Sequence, residues 1–206
     1  MIKLKSLLEA KSYSGKTYIS VDIQREYEKS FGFRIYQFCG FINENYEQFG
    51  DLIFLYNGQS LGMTTEDDYK RWLMENNLDE AVLDGARFYD KGYAFFRYCI
   101  DQSIEETAIA NFVRFMYQND VRDSRDMTRD MWAKYLREYR RFDRKEVYEL
   151  LKHSGDMVHI PDLMDYIKGF RNIILTGGGI TECLKEVEIA LQALNIPYDI
   201  DQQFTY

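Results

Sequence analysis

The chain has 206 residues, of which 46% are apolar and 16% aromatic, and a net charge of −8. That much apolar surface builds a sizeable core and excludes global disorder. The acidic balance argues against bulk binding to nucleic acid or to an anionic membrane, although an acidic chain can still hold a local basic groove.

The start, Met1-Ile-Lys-Leu-Lys-Ser, has no long apolar region, and no window approaches 18 consecutive apolar residues. The expectation is a soluble cytoplasmic protein with no signal peptide, no membrane span and no membrane partner. Cys39, Cys99 and Cys183 are widely spaced and form no CxxC pair, which suits free thiols in a reducing compartment and supplies no zinc motif. His153 and His159 are the only histidines, so a His-rich metal site is excluded.

In chain order, residues 1–16 read as a polar lead-in. Thr17 to Asp22 is rich in β-branched and aromatic residues and reads as a first buried strand with Asp22 at its end. Apolar residues at Ile35, Phe38, Phe41, Ile42 and Tyr46 give a helix over 34–46. Asp51 to Gly58 is a second strand closed by Asn57-Gly58. Thr65 is an N-cap followed by the first-turn carboxylates Glu66, Asp67 and Asp68, opening a helix through Met74. Ala86 to Tyr89 is a short third strand ending at Asp90-Lys91-Gly92, and Phe95 to Asp101 starts another helix.

Residues 103–170 read as wholly helical, with helices over 104–118 and 131–139 and shorter ones at 147–151 and 163–167, the last entered through Pro161. A fourth strand at 173–175 stops at Gly177-Gly178-Gly179. A helix then begins with Cys183 in its first turn, and a last strand lies near 198–200.

Strands alternating with helices imply an α/β fold: a three-layer α/β/α sandwich with a mostly parallel sheet of about five strands. Residues 1–206 form a single domain, with 103–170 as a helical insertion between the third and fourth strands. Ligands of such sheets bind beyond the carboxyl ends of the strands. Asp22, Asn57, Asp90, Lys91 and the turn from Gly177 to Cys183 all fall at those ends.

Asp22, Lys91 and Cys183 together suit a nucleophilic site. The thiol sits at a helix N-terminus, which favours the thiolate. The lysine stabilises thiolate or oxyanion, and the carboxylate takes the thiol proton and passes it to a leaving group. Backbone amides around Gly178, Gly179, Thr181 and Glu182 would supply an oxyanion hole. The plainer alternative is a buried cysteine packing as a small hydrophobe beside solvated charges.

Asp22 with Glu26, Asp67 and Glu182 could instead ligate Mg²⁺ or Mn²⁺, as in a nuclease or phosphatase. The three glycines match neither GxGxxG nor a Walker motif, so a plain tight turn is favoured over a phosphate cradle. The basic stretch 121–146 carries Trp132, Tyr135 and Tyr139, a composition that can bind nucleic acid. Its interleaved acids favour a solvated, ion-paired helix face.

Val21-Asp22-Ile23-Gln24, Phe88-Tyr-Asp-Lys91-Gly-Tyr-Ala-Phe-Phe96 and Gly179-Ile-Thr-Glu-Cys183-Leu, in that order, resemble the three motif segments of the isochorismatase-like cysteine hydrolases, the superfamily that contains nicotinamidases. The resemblance implies Asp22 as general base, Lys91 as thiolate partner and Cys183 as nucleophile, with Gln24, Asn57, Tyr93 and Phe96 on the pocket rim. It implies a small amide, ester or vinyl-ether-type substrate. Two departures stand out. A single residue, Glu182, separates Thr181 from Cys183, one fewer than the family pattern. Tyr56-Asn57-Gly58 also lacks the Asp and His with which nicotinamidases bind metal, which speaks against a nicotinamidase; the leading reading expects no metal and no cofactor. A second reading is a catalytically inactive binding protein on the same fold, its helical insertion serving as a surface for a protein partner. The chain also resembles uncharacterised bacteriophage-encoded proteins, which implies the host cytoplasm.

Overall fold

Side chains alternate across the central strands, and both sets are apolar. Ile19 and Val21 point to one side of the sheet and Tyr18 to the other; Ile53 and Leu55 are matched in the same way by Leu52, Phe54 and Tyr56. A strand apolar on both faces must be covered on both faces. The computed structural model, which describes residues 13–59, 63–91, 105–121, 126–138 and 160–206, has this arrangement.

Among the described residues five strands form one sheet: β1 (Thr17–Val21), β2 (Asp51–Tyr56), β3 (Arg87–Asp90), β4 (Ile173–Gly177) and β5 (Tyr198–Ile200). The order is β3-β2-β1-β4-β5 and every pairing is parallel. In register, Ile19 faces Ile53 on one side and Leu175 on the other, and Val21 faces Leu55 and Gly177. The expected α/β sandwich with a parallel sheet is therefore observed.

One face is covered by α1 (Ile35–Asn45), α2 (Glu66–Glu75) and the short α3 (Glu80–Gly85). In α1, Ile35, Phe38, Cys39 and Ile42 are buried, the i, i+3, i+4, i+7 stripe of a helix laid on a core. The Thr65 hydroxyl accepts from the Asp68 amide at 3.1 Å, so the expected cap at the start of α2 forms. The short α3 escaped the sequence reading because six residues are too few to display a period.

The other face is covered by α4 (Glu106–Gln118), α5 (Arg129–Glu138), α6 (Ile160–Ile167) and α7 (Cys183–Ala193). Between β3 and β4, α4 and α6 pack directly on α7. They form the covering layer of the sheet, with Ile109, Phe112, Val113 and Met116 in the core. Burial of a full aliphatic or aromatic side chain stabilises by roughly 1.5–3 kcal/mol, so this layer contributes much of the fold's stability. Because α4 and α6 clasp it, α7 is buried almost all round. Arg114 closes its C-terminal end, donating to the carbonyls of Ala193 and Gln192 at 2.7 Å each. Trp132 and Tyr135 of α5 join this core, their rings packed on Phe112; Tyr139 lies outside the described residues, as do the readings at 95–101 and 147–151. Among the described residues no helix is long and apolar enough to cross a membrane.

The described connections from β1 to β3 run over one face of the sheet and those from β3 to β5 over the other. The strand order therefore changes direction between β1 and β4, which pair in register up to Val21 and Gly177, and such a switch point is where these sheets hold ligands.

Candidate functional site

β1 ends at Val21, and Asp22 turns the chain in the left-handed region with φ 45°. Aspartate is among the few residues that tolerate this conformation. Its amide still donates to the Leu55 carbonyl at 2.9 Å, and its carboxylate is turned inward with 1% exposure.

Lys91 follows the last residue of β3, held by its amide to the Tyr56 carbonyl at 2.9 Å. With β2 lying between β3 and β1, the two strand ends are about 10 Å apart. Only a long side chain bridges that gap. The Lys91 ammonium reaches the Asp22 carboxylate at 2.8 Å.

Cys183 opens α7, and its half-buried thiol lies beside the Asp22 carboxylate, near enough for each group to shift the other's protonation. The structure thus brings together the three residues singled out from the sequence. It adds a fourth: Glu186, one helical turn after Cys183, is fully buried and accepts from the Lys91 ammonium at 3.3 Å.

The electrostatics follow from burial and these contacts. Burial pushes the Asp22 carboxyl above the ordinary carboxylate range, and Lys91 opposes that push. Burial alone would lower Lys91, but Asp22 and then Glu186 outweigh it and hold the ammonium above its usual range. Burial, and next the Asp22 carboxylate, push the Cys183 thiol up, with Lys91 working the other way. The helix N-terminus does not by itself produce a resting thiolate here, because the carboxylate beside the sulfur favours the proton staying on it.

The glycine turn fixes where α7 begins. Gly177 has φ 76° and Gly178 φ 61°. A Cβ on Gly177 would collide with the Val21 carbonyl oxygen, and one on Gly178 would stand 2.9 Å from the Leu184 amide nitrogen. Several amides of this turn are engaged within the protein. The Ile180 amide donates to the Tyr206 carbonyl at 2.8 Å, and the Glu182 and Leu184 amides donate to the Gly179 carbonyl at 2.9 and 3.3 Å. Thr181 is exposed, and Glu182 occupies the N-cap position of α7 without a side-chain capping bond.

Gln24 and Asn57 clamp the strand ends. The Gln24 amide group donates to the Asn57 carbonyl at 3.2 Å and accepts from the Asn57 amide at 2.7 Å, extending the β1–β2 pairing by one side chain. Both are buried beside the site. Tyr93 and Phe96 lie outside the described residues.

Among the described residues three tyrosines line the site, and no local pattern marked them in advance. The Tyr27 hydroxyl accepts from Asn57 Nδ2 at 3.4 Å; burial, with Asp22 and Cys183 nearby, pushes Tyr27 up to about 12. Tyr206 donates to the Asp22 carbonyl at 2.8 Å, and Tyr69 to the Ile23 carbonyl at 2.9 Å. Glu186 did leave a signal: an acid three residues after Cys183, flanked on the same helix by the buried apolar Leu184, Val187 and Leu191.

The alternative carboxylate set does not converge as a metal site. Asp67 is exposed in the first turn of α2, and Glu26 accepts from Gln24 at 3.3 Å. Among the described residues no cluster of three His, Cys, Asp or Glu is arranged to hold a metal ion. A cleft of about 870 Å³ is lined by the segment after β1, including Arg25, Glu26, Phe31 and Arg34, and not by Asp22, Lys91 or Cys183.

Comparison with family models, with curated proteins and with solved structures finds no match to this chain.

Proposed function

We propose that this chain is a cysteine-dependent hydrolase of a small amide, ester or vinyl-ether-type molecule. The observation that carries the reading is Asp22, whose buried carboxylate pairs with the Lys91 ammonium at 2.8 Å and lies beside the Cys183 thiol. The resemblance of the three segments to the isochorismatase-like hydrolases points the same way.

For an amide or ester, the sulfur attacks the carbonyl carbon while its proton passes to Asp22. The new C–S bond sends the carbonyl electron pair onto oxygen. Collapse of that oxyanion expels the amine or alcohol, which takes the proton from Asp22. Water, deprotonated by Asp22, then cleaves the thioester and regenerates the thiol. A carboxyl raised by burial suits this cycle, because it is a stronger base than an exposed one. Lys91 offsets the negative charge that develops. The free thiols Cys39 and Cys183 suit a reducing compartment such as the cytoplasm.

The test is a panel of small amides, esters and vinyl ethers assayed with the intact protein and with Cys183→Ala. Hydrolysis that survives unchanged in the variant removes the mechanism.

A second reading, an inactive binding protein on the same fold, is favoured by the raised thiol and by the turn amides already engaged with Tyr206 and Gly179. Under it, no member of the panel is turned over, and a small molecule or protein partner still protects Cys183 from alkylation.

A further inference from the structure

The candidate site holds one more acid than its proposed chemistry uses. Lys91 is the cation that reaches both Asp22 and Glu186, at 2.8 and 3.3 Å, and all three side chains are at most 1% exposed. Two carboxylates and one ammonium sum to −1. A thiolate at Cys183 would take the sum to −2 inside a buried cluster, which low local polarity penalises.

We propose that Glu186 is a positioning residue that divides the Lys91 ammonium between two carboxylates and so keeps Cys183 a thiol in the resting protein. With Glu186 taking part of its charge, the ammonium cannot serve the sulfur fully. The nucleophile then forms only as its proton moves to Asp22. This deepens the hydrolase reading and rests on it for its catalytic meaning, while the electrostatic relation stands on the geometry alone.

Among the described residues, the groups beside the sulfur come from several elements. Asp22 comes from the end of β1, Lys91 from the end of β3 and Glu186 from α7. Tyr27 comes from the 3-10 helix Arg25–Ser30 and Tyr206 from beyond β5; both feel the charge of Cys183. The tyrosines are held neutral; Asp22 and Glu186 are the acids that act on Cys183, while Glu26 bears on Tyr27 and Tyr69. Glu186 and Cys183 share one helix face at i, i+3 spacing, which fixes their relation independently of the loops.

The test reads the thiol, not turnover. The alkylation rate of Cys183 with iodoacetamide is followed from pH 6 to 11 by mass spectrometry of its peptide, in the intact protein and in Glu186→Gln and Glu186→Asp. Glutamine keeps the volume and removes the charge. It is expected to raise the rate at pH 8 about tenfold, one unit of downward displacement of the midpoint. Aspartate restores the charge and is expected to return the midpoint most of the way. An unchanged midpoint in Glu186→Gln overturns the proposal and leaves the hydrolase reading to its own test. A displaced midpoint in a protein that hydrolyses nothing on the panel supports the positioning role and removes the hydrolase. If the glutamine variant does not fold, carbon-13 labelling of the glutamates in the unaltered protein decides. The Glu186 carboxyl carbon should show an inflection at the alkylation midpoint of Cys183, and a flat signal there overturns the proposal.

Discussion

The Lys91 ammonium lies 2.8 Å from the Asp22 carboxylate, and neither side chain is more than 1% exposed. Breaking such a buried pair by removing one partner leaves an uncompensated charge, which costs about 3–5 kcal/mol. Lys91→Met leaves two acids, Asp22 and Glu186, facing each other without a cation. Urea unfolding at pH 8 should show a loss of that size. The loss should shrink towards pH 5. A carboxyl raised in the folded state contributes stability that is complete below the unfolded value of about 3.9 and declines as pH rises through the folded one. A variant as stable as the parent at pH 8 would remove the pair from the list of forces holding the strand ends together.

Asp22→Asn keeps the shape of the site and removes the proposed proton acceptor. General base catalysis contributes roughly 10²–10⁴ in rate. On any substrate that the intact protein hydrolyses, kcat/KM should fall within that range while the circular dichroism spectrum is preserved. Full activity in the asparagine variant would assign the base to another group.

Gly177 carries the chain from β4 into the turn at φ 76°, with the Val21 carbonyl where a Cβ would sit. The left-handed conformation alone costs roughly 1–2 kcal/mol for a residue with a Cβ, and the collision adds to it. Gly177→Ala should destabilise by about 2 kcal/mol or more in thermal unfolding. Gly169→Ala is the control: nothing lies within 4 Å of its added Cβ, and it should leave the midpoint nearly unchanged.

The protein should lose stability in alkali. Burial pushes the Cys39 thiol to about 12, and chiefly burial pushes Tyr27 and Tyr89 to about 12. The unfolded chain releases these protons near pH 8.5 for cysteine and 10 for tyrosine. The folded chain therefore keeps protons that the unfolded chain gives up. Their contribution is whole below about pH 8.5 and drains away as pH climbs towards the folded values. Melting temperatures taken between pH 8 and 11 should fall steadily, and Cys39→Ala should soften the first part of the fall. A flat profile would contradict the burial of these groups.

Much of the architecture was written locally. Ile19, Ile53 and Leu175 sit in apolar runs that have no stable place except a sheet covered on both faces, and alternating helices make that sheet parallel. Thr65 and its following acids announced a helix start that the Asp68 amide confirms. Gly177 and Gly178 announced a turn that the positive φ angles require. The strand-end rule then placed Asp22, Lys91 and Cys183 on one rim. Each of these inferences uses a few neighbouring residues, because periodicity, capping and backbone freedom act over a turn or a strand.

What only the tertiary structure decided was the company each group keeps. Glu186 becomes part of the site because α7 is pressed between the sheet and α4, turning an acid inward onto Lys91. Tyr206 reaches the Asp22 carbonyl from the far end of the chain. The proton on Cys183 is likewise a collective outcome: burial and the Asp22 carboxylate outweigh Lys91. Charge interactions and desolvation depend on distances between segments remote in sequence, and no local pattern of residues encodes those distances.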